Sequence, residues 1–494
     1  MRHNKYYFTY KVVDKYWVYD RYSNNILEIS ETQYNILQDM HENNYDFTKY
    51  MINKKDHVGR SANDDIVKSF EAIINDSDKY DVLKMVDVKE CVTEITGIDM
   101  DKYYSPTSPI DYAIVNITED CNLRCKYCIF GETYTRSRKH SSKTMSYSTI
   151  DALVKMLSSR STKKDFGIGF YGGEPLLEMD KIKYIVKKIS ESHIKCQFNL
   201  TTNGVLLTDS VVSYLVENKF KINISVDGPS TVHDKYRKTK KNKCTHHIIM
   251  DNIKKIKSRY KEYYDSNVFY LATLTKNTNI SEVYDFFISN DEFPRILRYG
   301  LIQDDVTTFY ERYEPEEEQK SSEVNIKAEY KNYVYDCIMN QRESAKYGHL
   351  RAQMFNAKMK IIDERSKEPL KEPKLIISGA CTPGIKRVFV SSDGTLKICE
   401  RGMESYSIGN LVDGYNKEAI SALIERYNKF LTSSCKECWA ARLCSICFIE
   451  VFDDYGNIDY KKEEQRCKDR RDNILNYLIG YTAICETAPA EFKF

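Results

Sequence analysis

Tyr112-Ala113-Ile114-Val115-Asn116-Ile117-Thr118 runs straight into Glu119-Asp120-Cys121-Asn122-Leu123-Arg124-Cys125-Lys126-Tyr127-Cys128. The first seven residues are an apolar, β-branched run, the pattern of a buried strand. Three cysteines in C-x3-C-x2-C spacing follow at once. From Asp111 to about residue 305 such strands alternate with amphipathic stretches. The expected strands are Tyr112–Thr118, Gly167–Tyr171, Gln197–Thr202, Ile222–Val226, Val268–Leu274 and Ile296–Ile302. Between them lie helical patterns such as Ser148–Leu157, Asp180–Ile189, Asp209–Val216 and His246–Lys257. Five to six such units predict an α/β fold with a parallel sheet, open or partly closed into a barrel. In such sheets the chemistry sits at the strand C-termini, where Cys121 falls.

The chain has 494 residues, or about three domains at roughly 150 residues each. It is 41% hydrophobic and 30% charged, with a net charge of +2. Enough apolar material is present for a sizeable core, and no charge excess argues for a nucleic-acid partner or an anionic membrane. No apolar run is long enough to span a bilayer, and MRHNKYYFTY lacks a signal-peptide core, so a cytoplasmic location is expected. In that compartment fifteen cysteines do not form a disulfide framework. Cys91, Cys196, Cys244, Cys337 and Cys485 are scattered and read as core filler. The other ten fall in two groups, which reads as metal binding.

A structural zinc takes four ligands, and no fourth Cys or His lies near Cys121, Cys125 and Cys128. Three thiolates on a 4Fe–4S cubane leave one iron without a protein ligand, free to bind a small molecule. A zinc knuckle with a distant fourth ligand is the alternative. With an aromatic before its third cysteine, Cys121-Asn122-Leu123-Arg124-Cys125-Lys126-Tyr127-Cys128 closely resembles the radical S-adenosylmethionine (SAM) superfamily. Further matches come in order at strand ends: Tyr171-Gly172-Gly173-Glu174-Pro175, Thr201-Thr202-Asn203-Gly204, Ser225-Val226-Asp227-Gly228-Pro229, then His233-Asp234-Lys235-Tyr236-Arg237. The resemblance implies a partial (β/α)6 barrel in which Cys121, Cys125 and Cys128 hold the cluster. It also implies that Tyr127, Gly172, Gly173, Glu174, Pro175, Asn203, Ser225, Asp227 and Arg237 form the SAM site, with Gly-Gly-Glu-Pro at the methionine amine and Ser225 at the ribose. The mechanism it implies is one-electron cleavage of SAM to a radical that abstracts an unactivated hydrogen. A flavodoxin or ferredoxin would supply the electron.

The second group is Cys381, Gly394, Cys399, then Cys435-x2-Cys438-x5-Cys444-x2-Cys447, then Cys467. It resembles the SPASM extension of radical SAM enzymes, which carries two auxiliary 4Fe–4S clusters, making three in all. The usual spacing between the third and fourth cysteines of the central run is three residues; here it is two, Ser445 and Ile446. The resemblance assigns Cys435, Cys438, Cys444 and Cys467 to one cluster and Cys381, Cys399 and Cys447 to the other. The region where some relatives place an eighth cysteine, Thr382–Phe389, has none. One auxiliary iron is therefore left for a substrate thiolate or for Glu400. Some relatives carry a catalytic acid at the Glu400 position; a salt bridge with Arg401 is the plainer alternative. Two zinc sites are the other reading of these thiols.

Residues 1–108 read as a separate unit. Tyr6–Val12, Lys15–Tyr19 and Ile26–Ile29 are expected strands, followed by helices over Ser30–Met40 and Ala62–Ile74. This suits a winged-helix-like module, linked onward at Pro106 and Pro109. It resembles the leader-peptide recognition element of peptide-modifying enzymes, in which a leader joins as an edge strand. Residues 109–305 would be the radical SAM core and 306–375 a solvated helical connector, with the acidic run Glu314–Glu318 near its start. Residues 376–494 would be the SPASM domain, stapled by metal. Phe130, Thr133-Tyr134-Thr135-Arg136-Ser137-Arg138-Lys139-His140, Met145-Ser146, Gly379-Ala380-Cys381, Arg387-Val388-Phe389-Val390 and Cys438-Trp439-Ala440 resemble enzymes that install thioethers in cysteine-rich peptides. The expected function is a maturase that abstracts hydrogen from a ribosomal precursor peptide and joins Cys sulfur to carbon. A carbon–carbon crosslinking cyclase or an anaerobic sulfatase-maturing enzyme is the second reading. A non-enzymatic iron–sulfur protein is the third, and the SAM-site motifs speak against it.

Overall fold

A computed structural model of the chain describes residues 5–42, 45, 60–134, 138–160, 166–290, 293, 297–302, 307–314, 322–342, 344–460 and 463–488. Six parallel strands lie side by side in chain order: β5 (Tyr112–Thr118), β6 (Phe166–Gly172), β7 (Cys196–Thr202), β8 (Lys221–Ser225), β9 (Val268–Leu274) and β10 (Leu297–Leu301). Ile296, where the last of these was expected to begin, lies outside the described residues.

Alternation sets the two faces of this sheet. Val115, Ile168, Leu200, Ile222 and Tyr270 are fully buried under the helices that connect the strands. Those helices carry matching stripes, such as Ile182, Ile185, Val186 and Ile189 on Met179–Glu191 and Ile249, Ile253 and Ile256 on His246–Arg259. Apolar residues three and four apart line one helical face, so each helix covers the sheet with that face. On the other face Tyr112 lies across Gly167 and Gly169. A Cβ at those glycines would come within 2.7 and 2.3 Å of the Tyr112 ring and hydroxyl.

The sheet does not end at β5. β12 (Arg387–Val390) adds parallel to its free edge, Val388 opposite Ala113 and Val390 opposite Val115. β13 (Thr395–Lys397), β14 (Gly409–Asn410) and β15 (Gly414–Tyr415) continue antiparallel, giving ten strands. The C-terminal cysteine region is thus continuous with the barrel sheet.

The strands and helices expected near the N-terminus are present. β1 (Tyr7–Val12), β2 (Lys15–Asp20) and β3 (Asn25–Ile29) form an antiparallel sheet, followed by helices Glu31–Glu42 and Arg60–Tyr80. Ser30 starts the first helix with a reciprocal cap: the Gln33 N–H donates to Ser30 Oγ at 3.2 Å, and the Ser30 N–H to Gln33 Oε1 at 2.9 Å.

Contacts run across two of the expected domain limits. At the limit expected near residue 108, β4 (Glu90–Thr93) pairs with β11 (Lys374–Ile377), and Val88, Cys91, Ile95 and Tyr104 pack in the core under the large sheet. The connector is not merely solvated. Helices Ser322–Ile338 and Gly348–Asp363 bury Tyr333, Phe355 and Met359 with Tyr10 and Tyr19 of the N-terminal sheet, Trp439, and Leu478 of the helix Glu463–Thr487. Part of the connector's charge is turned inward, since Arg351 holds Glu329 and Asp336, each at 2.8 Å. Glu314, expected on a solvated face, is 1% exposed and accepts hydrogen bonds from Tyr236 and Thr275. Residues 315–318 of that run lie outside the described residues.

Candidate functional site

The loop after β5 is folded by its own backbone. The Cys128 N–H donates to the Cys125 carbonyl and the Gly131 N–H to that of Cys128. Asp120 Oδ1 accepts from the Cys121 N–H at 2.8 Å. Two bonds fasten the loop to the strand after next: Asn203 Nδ2 reaches Asn122 Oδ1 at 2.7 Å and Cys121 Sγ at 3.8 Å. Cys121, Cys125 and Cys128 lie within electrostatic reach of one another. Burial drives all three thiols upward, Cys128 to about 12. Such thiols stay protonated unless a bound metal supplies the compensating charge.

Gly172 and Gly173 are where they are because no side chain fits. A Cβ at Gly172, whose φ is +143°, would sit 2.3 Å from the Thr118 carbonyl oxygen; one at Gly173 would sit 1.9 Å from that of Asp120. Hydrogen bonds Gly173 N–H to Thr118 O and Glu174 N–H to Asp120 O, both 2.8 Å, lock this turn onto the cysteine loop. Pro175 then opens a short 3-10 turn. The Glu174 carboxylate points inward, accepting from Thr202 Oγ1 at 2.7 Å and the Asn203 N–H at 2.8 Å. Its geometry is that of a brace holding the end of β7, and its own carboxylate oxygens are occupied. Burial raises its pKa. Ser225 ends β8 half-buried, opposite Leu271.

Tyr127, Asp227 and Arg237, predicted from three separate motifs, meet in one buried network. The Tyr127 hydroxyl donates to Asp227 Oδ2. Arg237 Nη1 donates to the Tyr127 oxygen at 3.0 Å and lies 4.0 Å from Asp227 Oδ1. That carboxylate also accepts from the Thr273 N–H at 2.9 Å, on β9. Burial raises Tyr127 and Asp227, while the surrounding acids outweigh burial and keep Arg237 protonated.

The C-terminal thiols gather as two sets. Cys435 ends the helix Lys417–Cys435, and Cys467 lies on Glu463–Thr487; Cys435, Cys438, Cys444 and Cys467 lie within mutual electrostatic reach. Cys399 and Cys381 each lie within reach of Cys447. Burial lifts Cys399 and Cys444 to about 12. Among the described residues no three such side chains close on a point for a single ion. A four-iron cluster is wider than an ion and takes thiolates around its periphery, which is the arrangement these donor sets could serve.

Glu400 stands beside the three-thiol set. The Cys399 thiol donates to its Oε2 at 3.4 Å, and Arg387 and Arg401 lie 3.8 and 3.9 Å from its carboxylate. Its side chain is only 12% exposed. The salt bridge with Arg401 and proximity to the thiols are therefore both present. Arg387, also 3.9 Å from Cys399 Sγ, was not singled out as a site residue in the sequence. Its signal would have been its place at the start of β12, the strand that pairs with the one leading into Cys399. Thr135, Arg136 and Ser137 lie outside the described residues.

Residues 115–287 match the model of the Radical SAM superfamily. A cysteine-type anaerobic sulfatase-maturating enzyme of Clostridium novyi is 32% identical over 180 residues, 35% of this chain and 46% of that protein. One from Clostridium perfringens is 23% identical over 350 residues, 68% of this chain and 88% of that protein. Among solved structures, native anSMEcpe with bound AdoMet and Kp18Cys peptide superposes with a TM-score of 0.54 at 20% identity, covering 76% of this chain and 98% of that one. With the three-cysteine loop and the glycine turn packed at the ends of six parallel strands, residues 115–287 of the chain form a radical SAM domain.

Proposed function

We propose that this enzyme matures a cysteine-rich ribosomal precursor peptide by joining a Cys sulfur to a carbon of the same peptide. The observation that carries the proposal is the unequal pair of C-terminal thiol sets. Four cysteines, 435, 438, 444 and 467, suffice for one auxiliary 4Fe–4S cluster; Cys381, Cys399 and Cys447 leave the other one thiolate short. Soft metal sites with an open position favour thiolate. The similarity to enzymes with protein or peptide substrates supports the same class of reaction.

Cys121, Cys125 and Cys128 would hold the cluster that, with SAM, supplies the hydrogen-abstracting radical. The Gly172–Gly173 backbone and the half-buried Ser225 would bind SAM, and Glu174 with Asn203 would fix the neighbouring strand end. Tyr127, Asp227 and Arg237 would keep the loop rigid and dry. At the auxiliary set, Glu400 Oε2 would take the proton of the incoming substrate thiol, with Arg387 and Arg401 orienting that carboxylate. The sheet β1–β3 would bind the leader along an edge, and a flavodoxin or ferredoxin would supply electrons.

Thioether formation removes two hydrogen atoms: one to the radical, the other as the thiol proton with an electron leaving to an acceptor. Anaerobic incubation with SAM, reductant and a cysteine-rich precursor peptide is expected to lower the peptide mass by two hydrogens. One cysteine should become resistant to alkylation. A modified sulfatase-derived peptide with an untouched precursor would favour the sulfatase-maturing reading, which the relatives' similarity supports.

A further inference from the structure

Arg138 is buried, 7% exposed, and its guanidinium lies against two rings. Its Cζ lies 3.9 Å from the centroid of Phe130 and 4.6 Å from that of Phe389. Phe130 is two residues beyond Cys128, on the loop of the radical SAM cluster. Phe389 is on β12, the strand added to β5. Nη2 is buried with no hydrogen-bond partner, and among the described residues no carboxylate forms an ion pair with this side chain. Glu404, Glu119 and Glu400 lie within electrostatic reach, but each is engaged elsewhere. Glu404 pairs with Lys397 at 2.9 Å, and Glu119 accepts from Ser141 and Ser392. Glu400 faces Arg387 and Arg401. The guanidinium also acts on Cys128, where it opposes the effect of burial.

A buried cation without a partner is costly. With two rings packed against it, the guanidinium has its buried, unbonded Nη2 edge left to meet a negative group, and the side chain is too enclosed to greet a peptide from solvent. Three thiolates and an iron–sulfur core beside Cys128 are the anion this edge lacks. We propose that Arg138 is the fixed counter-charge of the radical SAM cluster, a positioning residue that favours the cluster's reduced state. The inference rests on the radical SAM domain and not on the thioether reading. Reduction adds one electron from a low-potential donor such as dithionite; no bond forms or breaks. The added negative charge is stabilised by a nearby cation that cannot be screened by water. A unit charge within about 10 Å, at an effective dielectric constant near 20, shifts a one-electron equilibrium by about tenfold; tenfold is about 59 mV.

The test is a potentiometric titration of the holoenzyme, following the reduced radical SAM cluster by electron paramagnetic resonance, with iron content and SAM affinity measured in parallel. Arg138→Gln is expected to load the same iron and bind SAM within threefold of wild type. It should shift the equilibrium about tenfold toward the oxidised state. Arg138→Lys keeps the charge and should fall within threefold of wild type. Should the Gln variant fail to load iron, Arg138→Met replaces it, and Met and Lys must still differ by about tenfold. An unshifted potential in a fully loaded neutral variant overturns the proposal. So does a Lys variant shifted as far as the neutral one, which would make the effect one of packing. A tenfold loss of SAM affinity at constant potential would assign the edge to SAM instead.

Discussion

Replacing Asp227 by Ala tests whether the buried network under the cluster loop is a single energetic unit. The carboxylate is 2% exposed and serves Tyr127, Thr273 and Arg237 at once. Its loss takes from the buried Arg237 charge the carboxylate that faces it at 4.0 Å. Removing one partner of a buried pair costs about 3–5 kcal/mol. Asp227→Asn keeps an oxygen for the Thr273 N–H and loses only the charge-assisted part, about 1.5–3 kcal/mol. In a chain of several cooperating units a single global unfolding energy is ill-defined, so the readout is local. The Lys126 and Arg237 amides, bonded to the Tyr236 and His233 carbonyls at 3.0 Å, report opening of the loop by hydrogen exchange under anaerobic conditions. At about 1.4 kcal/mol per decade, Asp227→Ala should speed their exchange roughly a hundredfold to a few thousandfold. The double variant Asp227→Ala/Arg237→Met should be milder than the sum of the singles by about 1–3 kcal/mol, because the orphaned charge is gone. Exchange within threefold of wild type in Asp227→Ala, or strict additivity in the double, would refute the coupled network.

Replacing Cys121, Cys125 and Cys128 together by Ala should remove about four irons per chain and abolish SAM cleavage; wild-type production of 5′-deoxyadenosine would reject the assignment. Cys381→Ala should remove crosslinking and leave SAM cleavage in place, and parallel loss of both would dissociate the three-thiol set from the sulfur step. Deleting residues 1–105 strips β4 from β11 and uncovers the main core, so melting temperature and SAM cleavage should fall together. A truncated protein cleaving SAM normally would show that this packing is dispensable. His233 is fully buried and desolvation holds its pKa well below the ordinary 6.5. The unfolded state therefore binds the extra proton first, and stability present above pH 6.5 is lost as pH falls below it, by up to about 1.4 kcal/mol per unit. His233→Gln should flatten that slope in apoprotein melts, and an unchanged slope would point to other groups.

The barrel strands were legible because strands buried in a parallel sheet are written as short apolar runs. Tyr112–Thr118 and Val268–Leu274 have the observed limits, and Gln197–Thr202 begins one residue late. The glycine turn and the cysteine loop were legible as spacings. What periodicity does not encode is pairing between distant segments. Nothing local in Arg387–Val390 says that it completes the edge of β5, or in Glu90–Thr93 that it needs Lys374–Ile377. The same blindness applies to burial of charge. Glu314 and Arg351 read as solvent residues, since their partners Tyr236, Thr275, Glu329 and Asp336 are assembled only by the fold. The Tyr127–Asp227–Arg237 contact shows the opposite case, three motifs each visible alone whose convergence only the tertiary structure supplies.

The pairing of β12 with β5 has a consequence for biosynthesis. An apolar strand with a free edge is a template for aggregation until something covers it. Here the cover lies 275 residues downstream, as in the pair Val115 and Val390. At about 5–20 residues per second, the ribosome leaves that edge bare for roughly 14–55 s after it emerges. The cysteine loop at the end of β5 emerges in the same interval, before β12 pairs with that strand. Iron–sulfur loading thus has a natural window on the nascent chain. Chains stopped before residue 390 should be the most prone to aggregate, and those carried past it should escape.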